Sequence, residues 1–254
     1  MRAAERMIRA AGDLAQAHFD ARDRLVIQTK TDGQDLVSAA DREVEALLRT
    51  AIAAEFPDDG MVGEEQGATA GTSGFTWVID PIDGTSVFLH GLPYWTVVIA
   101  IYEGEEVCGA LILHPATATL YMGRRGHGAQ VVKDGLCKTL AVSEMPFTSS
   151  LYAIGMGDAG AVAEVIERVI AQGGAHMRIG SAALTLAHVA SGHYGGFYES
   201  RLSIWDCAAG LLLVREAGGV TGSPPVLSSH GERRPCFAAT AVSAPVFTQC
   251  VGGI

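Results

Sequence analysis

Four short β-rich runs follow one another between Trp95 and Val132: "WTVVIAIY", "VCGALILH", "ATLYM" and "GAQVV", parted only by Gly, Pro or charged turns. Runs this close together make antiparallel pairing the simplest arrangement, because a parallel return needs a crossover of a dozen residues or more. Upstream, Met7, Ile8, Ala11, Leu14, Ala15, His18 and Phe19 recur at helical spacing, as do Val44, Leu47, Leu48, Ala51, Ile52 and Phe56. Both stretches predict amphipathic helices. Beyond Met145 the pattern alternates: strand "SLYAI", a helix around Val162 to Ile170, strand "AHMRIG", helix "ALTLAHVA", strand "GGFYE" and helix "CAAGLLLVREAGG". The Gly218-Gly219 pair closes the last helix in the manner of a glycine C-cap. Helices first, antiparallel strands next and mixed elements last predict an α+β layered protein, with its softest internal boundary near Ser143 to Ser150.

Charge and cysteine usage narrow the function. The 254-residue chain carries 28 acidic and 18 basic residues, a formal charge of -10, and no Lys/Arg cluster larger than Arg124-Arg125 or Arg233-Arg234. Nonspecific nucleic-acid binding needs clustered cations to displace counterions, so nucleic acid is not expected as a partner. The five cysteines (Cys108, Cys137, Cys207, Cys236, Cys250) are odd in number and lack CxxC spacing, which predicts reduced thiols and a cytoplasmic setting. Arg2, Glu5, Arg6, Arg9 and Asp13 interrupt the N-terminal stretch, and no apolar run approaches the ~18 residues of a membrane span. Neither an export signal nor a membrane partner is expected.

The chemistry concentrates in "WVIDPIDGTSVF", Trp77 to Phe88. Trp77, Val78 and Ile79 read as a buried strand that ends on one carboxylate, Asp80, with a second, Asp83, three residues later. Ionised carboxylates are seldom buried unpaired, so something cationic is expected nearby. A hard divalent ion such as Mg²⁺ takes carboxylate, carbonyl and phosphate oxygens. Asp80 and Asp83 can converge on such an ion, Pro81 restricts the link between them, and the Ile82 carbonyl is free to join. The following "GTS" can start a helix, so Asp83 could equally be a helix N-cap.

Two other motifs compete. "GMGDAG", Gly155 to Gly160, follows a strand and precedes a helix as a dinucleotide-binding turn would, but "AHMRIG" ends without the acidic residue a ribose needs. A plain glycine-rich strand-to-helix turn accounts for it. "DPIDGT" also resembles the D-x-D-G-T loop of aspartyl-phosphate phosphatases, but its carboxylates are three residues apart instead of two. None of the eight histidines has metal or triad spacing.

Taken together, "GEE" at Gly63 to Glu65, "WVIDPIDGT" at Trp77 to Thr85 and "WDCAAG" at Trp205 to Gly210 resemble the three signatures of the inositol monophosphatase family of Mg²⁺-dependent phosphatases. "KTDGQDLVSAADREVE" (Lys30 to Glu45) and "RIGSAALTLAHVASG" (Arg178 to Gly192) agree with it. The resemblance implies a five-layer αβαβα sandwich of the inositol monophosphatase and fructose bisphosphatase type, assembled as a homodimer. Residues 1–143 would carry the antiparallel sheet and most metal ligands, and residues 144–254 the substrate pocket and Asp206, in one compact unit.

The resemblance also implies the site. Glu64, Asp80, the Ile82 carbonyl, Asp83 and Asp206 would be metal ligands, with Glu64 and Thr85 activating the attacking water and Asp80 counted among the catalytic groups. Phosphate would rest on the backbone N–H groups of Gly84 and Thr85, beside Asp83 and Asp206. Gly180, Ser181, Ala182 and Glu199 would meet the alcohol half of a small phosphorylated substrate. Ser86-Val87 stands where many members have Thr-Asn, and Ser181 where threonine is common. The chemistry implied is direct attack of water on a phosphate monoester, with Li⁺ inhibition. Inositol 1-phosphate fits best, and histidinol phosphate, fructose 1,6-bisphosphate and adenosine 3′,5′-bisphosphate are the substrates of relatives. The four formal charges of Glu64, Asp80, Asp83 and Asp206 match two Mg²⁺, with a third entering alongside substrate. Lys30 reads as a loop residue and Trp205 as core packing. Asp41 either completes a capping box with Ser38 or lies near a peripheral metal.

Overall fold

The computed structural model describes residues 1–22, 27–29 and 36–252. Helix α1 (Arg2–Asp20), the short ribbon β1 (Ile27–Thr29) and β2 (Leu36–Ser38), and helix α2 (Ala39–Glu55) lead into the strands β3 (Gly60–Gly63), β4 (Gly67–Thr69) and β5 (Phe75–Asp83). After α3 (Thr85–Leu89) come β6 (Thr96–Glu103), β7 (Glu106–His114), β8 (Thr119–Arg124), β9 (Ala129–Lys133) and β10 (Leu136–Thr139). The remainder comprises β11 (Leu151–Ile154), α4 (Ala159–Ala171), β12 (Ala175–His176), α5 (Ala182–Ala190), β13 (Gly196–Leu202), α6 (Ile204–Glu216), β14 (Val220–Thr221), β15 (Arg234–Ala239) and α7 (Ala244–Cys250). Lys30 and the side chain of Ser38 lie outside the described residues.

These elements stack as five layers. One face of an eight-stranded sheet, ordered β10-β9-β8-β7-β6-β5-β3-β4, buries Trp77, Ile79, Val97, Ile99 and Leu111 under Met7 and Ile8 of α1 and Val44 and Leu48 of α2. The opposite face, Val78, Val98, Ala100 and Ile112, packs on α5 and α6, whose other side meets Phe197 and Ala238 of a five-stranded sheet, β12-β11-β13-β15-β14. Helices α4 and α7 cover that second sheet through Val165, Val169 and Phe247. Each pleated strand therefore feeds two cores, which explains the near-continuous apolar runs. Helix α6 is apolar all round because it lies between two sheets, with Cys207 through Val214 all buried. It closes with Gly218 at φ 87°, its N–H on the Arg215 carbonyl at 3.0 Å and that of Gly219 on Val214 at 2.8 Å, the expected glycine C-cap.

Pairing from β5 through β10 is antiparallel throughout. Three features depart from the sequence expectations. Strand β3 runs parallel to β5, with β4 on its outer edge. The expected strand "AHMRIG" pairs only at Ala175 and His176, because β12 is an edge strand beside the short β11 and the chain then turns away at Gly180, φ 96°. Helix α6 begins at Ile204, earlier than its apolar run, on the N-cap Ser203. Among the described residues no helix is long and apolar enough to cross a membrane.

Candidate active site

The pairing of β3 with β5 sets the first two acids side by side. Gly63 lies opposite Ile79 in a parallel register, so the next residues, Glu64 and Asp80, leave adjacent strands in the same direction. Asp80 and Asp83 should then diverge, since side chains three apart on a regular strand point to opposite faces. A bulge prevents this. Asp80 pairs with Val98 and Asp83 with Thr96, three steps on β5 against two on β6. The extra residue falls at Pro81-Ile82, where proline has no N–H to contribute to a ladder, and it resets the alternation so that both carboxylates converge. The Asp80 carboxylate accepts the Ile82 N–H at 3.1 Å, stiffening the turn.

Asp83 is a helix cap, but of a different helix from the expected one. Gly84, at φ 95°, occupies the N-cap of α3 and makes no side-chain bond. The Asp83 carboxylate instead accepts the N–H groups of Ala182 (3.2 Å) and Ala183 (2.9 Å) at the start of α5, with the hydroxyls of Ser181 and of Thr96 (3.2 Å). Ser181 and Ala182 are thereby joined to the cluster through Asp83. Val87, one of the unusual positions, packs against both Gly84 and Gly180.

The third aspartate arrives from α6. As its third residue, Asp206 accepts the Ser203 N–H at 2.7 Å, half of a capping box. Oxygens of Asp80, Asp83 and Asp206 all lie within 4.8 Å of one another. Burial foremost, and then Glu64, Asp83, Asp206 and Asp41, push the Asp80 carboxyl well above its ordinary range. Asp206 is likewise raised, by burial and then Glu64 and Asp83. For Asp83, burial raises it while its four hydrogen bonds pull back. The groups that most strongly influence Asp80 are all carboxylates, so the cationic complement expected from the sequence is not a side chain. A concave set of hard, anionic oxygens is the donor set that a divalent cation such as Mg²⁺ takes.

A cavity of about 670 Å³ opens over this cluster, lined by Glu64, Asp83, Thr85, Gly180, Glu199 and Asp206 among others. Trp205 both lines it and packs on the central core, so the core-packing expectation was half of its role. The Thr85 hydroxyl lies 3.1 Å from the Ile82 carbonyl and 3.3 Å from the Asp41 carboxylate. Asp41, 1% exposed in the first turn of α2, thus reaches the site through Thr85. Sequence reasoning left it between two lesser roles because its spacing to Ser38 also spells a capping box. Thr96, Arg178 and Arg233 belong to the surroundings too and carried no sequence signal.

Glu199 explains "GMGDAG". The turn joins β11 to α4, Asp158 caps α4 through the Ala161 N–H at 3.1 Å, and a Cβ at Gly155 would overlap the Glu199 carboxylate. The first glycine admits an acid to the cavity wall. Burial pushes Glu199 up to about 7, against the pull of Arg178, the Met156 N–H and Arg233. The folded chain holds this proton between the ordinary glutamate value of 4.5 and about 7, so the stability of the metal-free protein falls as pH rises across that window. Glu199→Gln should flatten that part of a melting temperature against pH curve. An unchanged slope in the variant would contradict the assignment.

Comparison with known proteins decides the family: the model of the inositol monophosphatase family matches residues 1–232. The chain belongs to the inositol monophosphatase family. It is therefore a phosphoric monoester hydrolase of a metal-dependent family. The inositol-1-monophosphatase of Rhizobium meliloti is 40% identical over 190 residues, 73% of this chain and 71% of that one. Escherichia coli K12 Nus factor SuhB is 34% identical over 226 residues, 85% of this phosphatase and 82% of its own length. Among solved structures, the extragenic suppressor protein suhB of Bartonella henselae superposes with a TM-score of 0.90 at 29% identity, covering 100% of this phosphatase and 99% of that chain. The Thermotoga maritima IMPase gives 0.84 at 28%, covering 97% and 94%. The α+β sandwich expected from the resemblance is thus the fold of the phosphatase.

Proposed function

We propose that this phosphatase hydrolyses inositol 1-phosphate by direct attack of water on phosphorus. The observation that carries this reading is the convergence of Asp80, Asp83 and Asp206 within 4.8 Å at the floor of a cavity that also holds Glu64 and Glu199. Relatives from Rhizobium meliloti and Mesorhizobium japonicum that bear the name inositol-1-monophosphatase, at 40% and 37% identity, support the substrate. Glu64, Asp80, the Ile82 carbonyl, Asp83 and Asp206 would hold two Mg²⁺, with a third held by Glu64 and the substrate phosphate. When bound, the ions lower the pKa of water and neutralise charge on the entering and leaving oxygens.

The chain's own groups supply the rest. Thr85 donates its hydroxyl proton toward Asp41 or the Ile82 carbonyl, which leaves its lone pairs to orient the attacking water, and Glu64 takes that water's proton. Backbone N–H groups of Gly84 and Thr85 receive the phosphate. Glu199, with Gly180, Ser181 and Ala182 along the cavity wall, meets the polyol and accepts its hydroxyl protons. A phosphate-release panel tests the substrate. With Mg²⁺ present, kcat/KM for inositol 1-phosphate should exceed that for histidinol phosphate, fructose 1,6-bisphosphate and adenosine 3′,5′-bisphosphate. A higher value for any of these three would reassign it.

A further inference from the structure

Glu45 and Arg49 lie on α2, outside the cavity lining, yet they are the most completely engaged buried charges beside it. The Glu45 carboxylate is 0% exposed. One oxygen accepts the Glu65 N–H at 2.8 Å, and the other accepts the Gln66 N–H at 3.1 Å and Arg49 Nε at 2.7 Å. Arg49 goes on to the Gly67 carbonyl and to Thr69 Oγ1 at 3.3 Å. Every one of these partners belongs to the turn between β3 and β4, which starts with Glu64. Glycine at 63 is required too, since a Cβ there would overlap the Glu45 carboxylate.

We propose that Glu45 and Arg49 form a clamp that positions Glu64: a buried ion pair on α2 grips the backbone on both sides of the β3–β4 turn and fixes where the Glu64 carboxylate stands relative to Asp80. The inference rests on the proposed role of Glu64 as a metal ligand. The physical case is that a four-residue strand followed by an exposed turn has little packing of its own, and β4 is exposed throughout. A carboxylate at the end of such a turn would range widely. Two backbone N–H groups bound to one buried anion remove that freedom, because charge-assisted bonds are short and directional. The clamp's energy lies in placement: a buried ion pair by itself is weak evidence of stability. Groups that orient metal ligands from behind typically matter about 10- to 100-fold in metal affinity or activity.

Glu45→Gln is the decisive variant. An amide nitrogen replaces one acceptor oxygen and meets either the Glu65 N–H or the Gln66–Arg49 side as donor against donor, while side-chain size is kept. With the melting temperature still above assay temperature, Mg²⁺ affinity by calorimetry and kcat should each fall about 10- to 100-fold. KM for inositol 1-phosphate should move less than about twofold, and amide exchange at Glu65 and Gln66 should accelerate. If Glu45→Gln does not fold, Arg49→Lys serves instead. It keeps the pairing charge, cannot reach Gly67 and Thr69 together, and should show the same changes to a smaller degree. A folded variant of either kind with metal affinity and kcat within about twofold of the parent overturns the clamp. Glu64→Gln separates this from the underlying reading. If it abolishes tight metal binding while Glu45→Gln does nothing, only the clamp fails; if Glu64→Gln itself binds metal normally, the assignment of Glu64 fails.

Discussion

Asp206→Asn should lower kcat by at least about a hundredfold, equivalent to roughly 2.7 kcal/mol of transition-state stabilisation, while the metal-free protein melts no earlier than its parent. The two halves of this result come from one carboxylate with two jobs. As the third residue of α6 it accepts the Ser203 N–H at 2.7 Å, and asparagine keeps an oxygen for that bond. Its charge, by contrast, is a burden on the empty cluster, since burial and then Glu64 and Asp83 push its carboxyl up. Removing that charge relieves repulsion among Asp80, Asp83 and Glu64. A helix-dipole contribution of about 0.3 to 1 kcal/mol is the only loss. Melting in EDTA, Mg²⁺ titration and kcat measured together check this. Near-normal turnover with normal Mg²⁺ dependence would return Asp206 to a purely capping role.

Removing divalent metal should abolish activity and reverse the usual relation between pH and stability. Folded Asp80 and Asp206 hold protons at pH values where the unfolded chain, titrating near 3.8, has released them. More protons are bound in the folded state, so stability falls as pH rises from about 4 toward the raised values and is recovered as pH falls. Divalent ions compete with those protons and bind best when the cluster is ionised. In EDTA the melting temperature should therefore be higher at pH 6 than at pH 8. Mg²⁺ at about a hundred times its Kd adds about 2.7 kcal/mol, a rise of roughly 5 to 10 °C for a chain of this size, larger at pH 8 than at pH 6. Asp80→Asn should reduce both the slope and the Mg²⁺ response. Equal Mg²⁺ shifts at the two pH values, or full activity in EDTA, would end the metal reading.

Local pattern carried most of the element positions, because amphipathic spacing in α1 and α2 and the β-rich runs are set by neighbours in sequence. The three short signatures pointed to Glu64, Asp80, Asp83 and Asp206, of which the structure brings three aspartates together and sets Glu64 beside Asp80. Pairing direction was harder. Parallel β3 next to β5 depends on β4 looping to the outside, which no residue in β3 announces. The partner of Asp83 was illegible for a similar reason: a helix N-cap is read from the next few residues, but α5 begins some hundred residues downstream. Asp41 carried a local explanation that masked its contact with Thr85. Glu45 read as one more acid on an amphipathic helix, and only the folded turn shows that it faces inward.

The bond from Asp83 to α5 has a consequence for the order of events during synthesis. When residues up to Asp83 have left the ribosome, two aspartates and Glu64 are present, but Asp83 has neither Ser181 nor the amides of Ala182 and Ala183 to hold its carboxylate. Asp206 is later still. Until the last third of the chain has docked, the bulged end of β5 is a patch of mutually repelling acids with no fixed geometry. Competence for metal thus arrives late and all at once, so a nascent or truncated chain is kept from loading an ion into a half-built pocket.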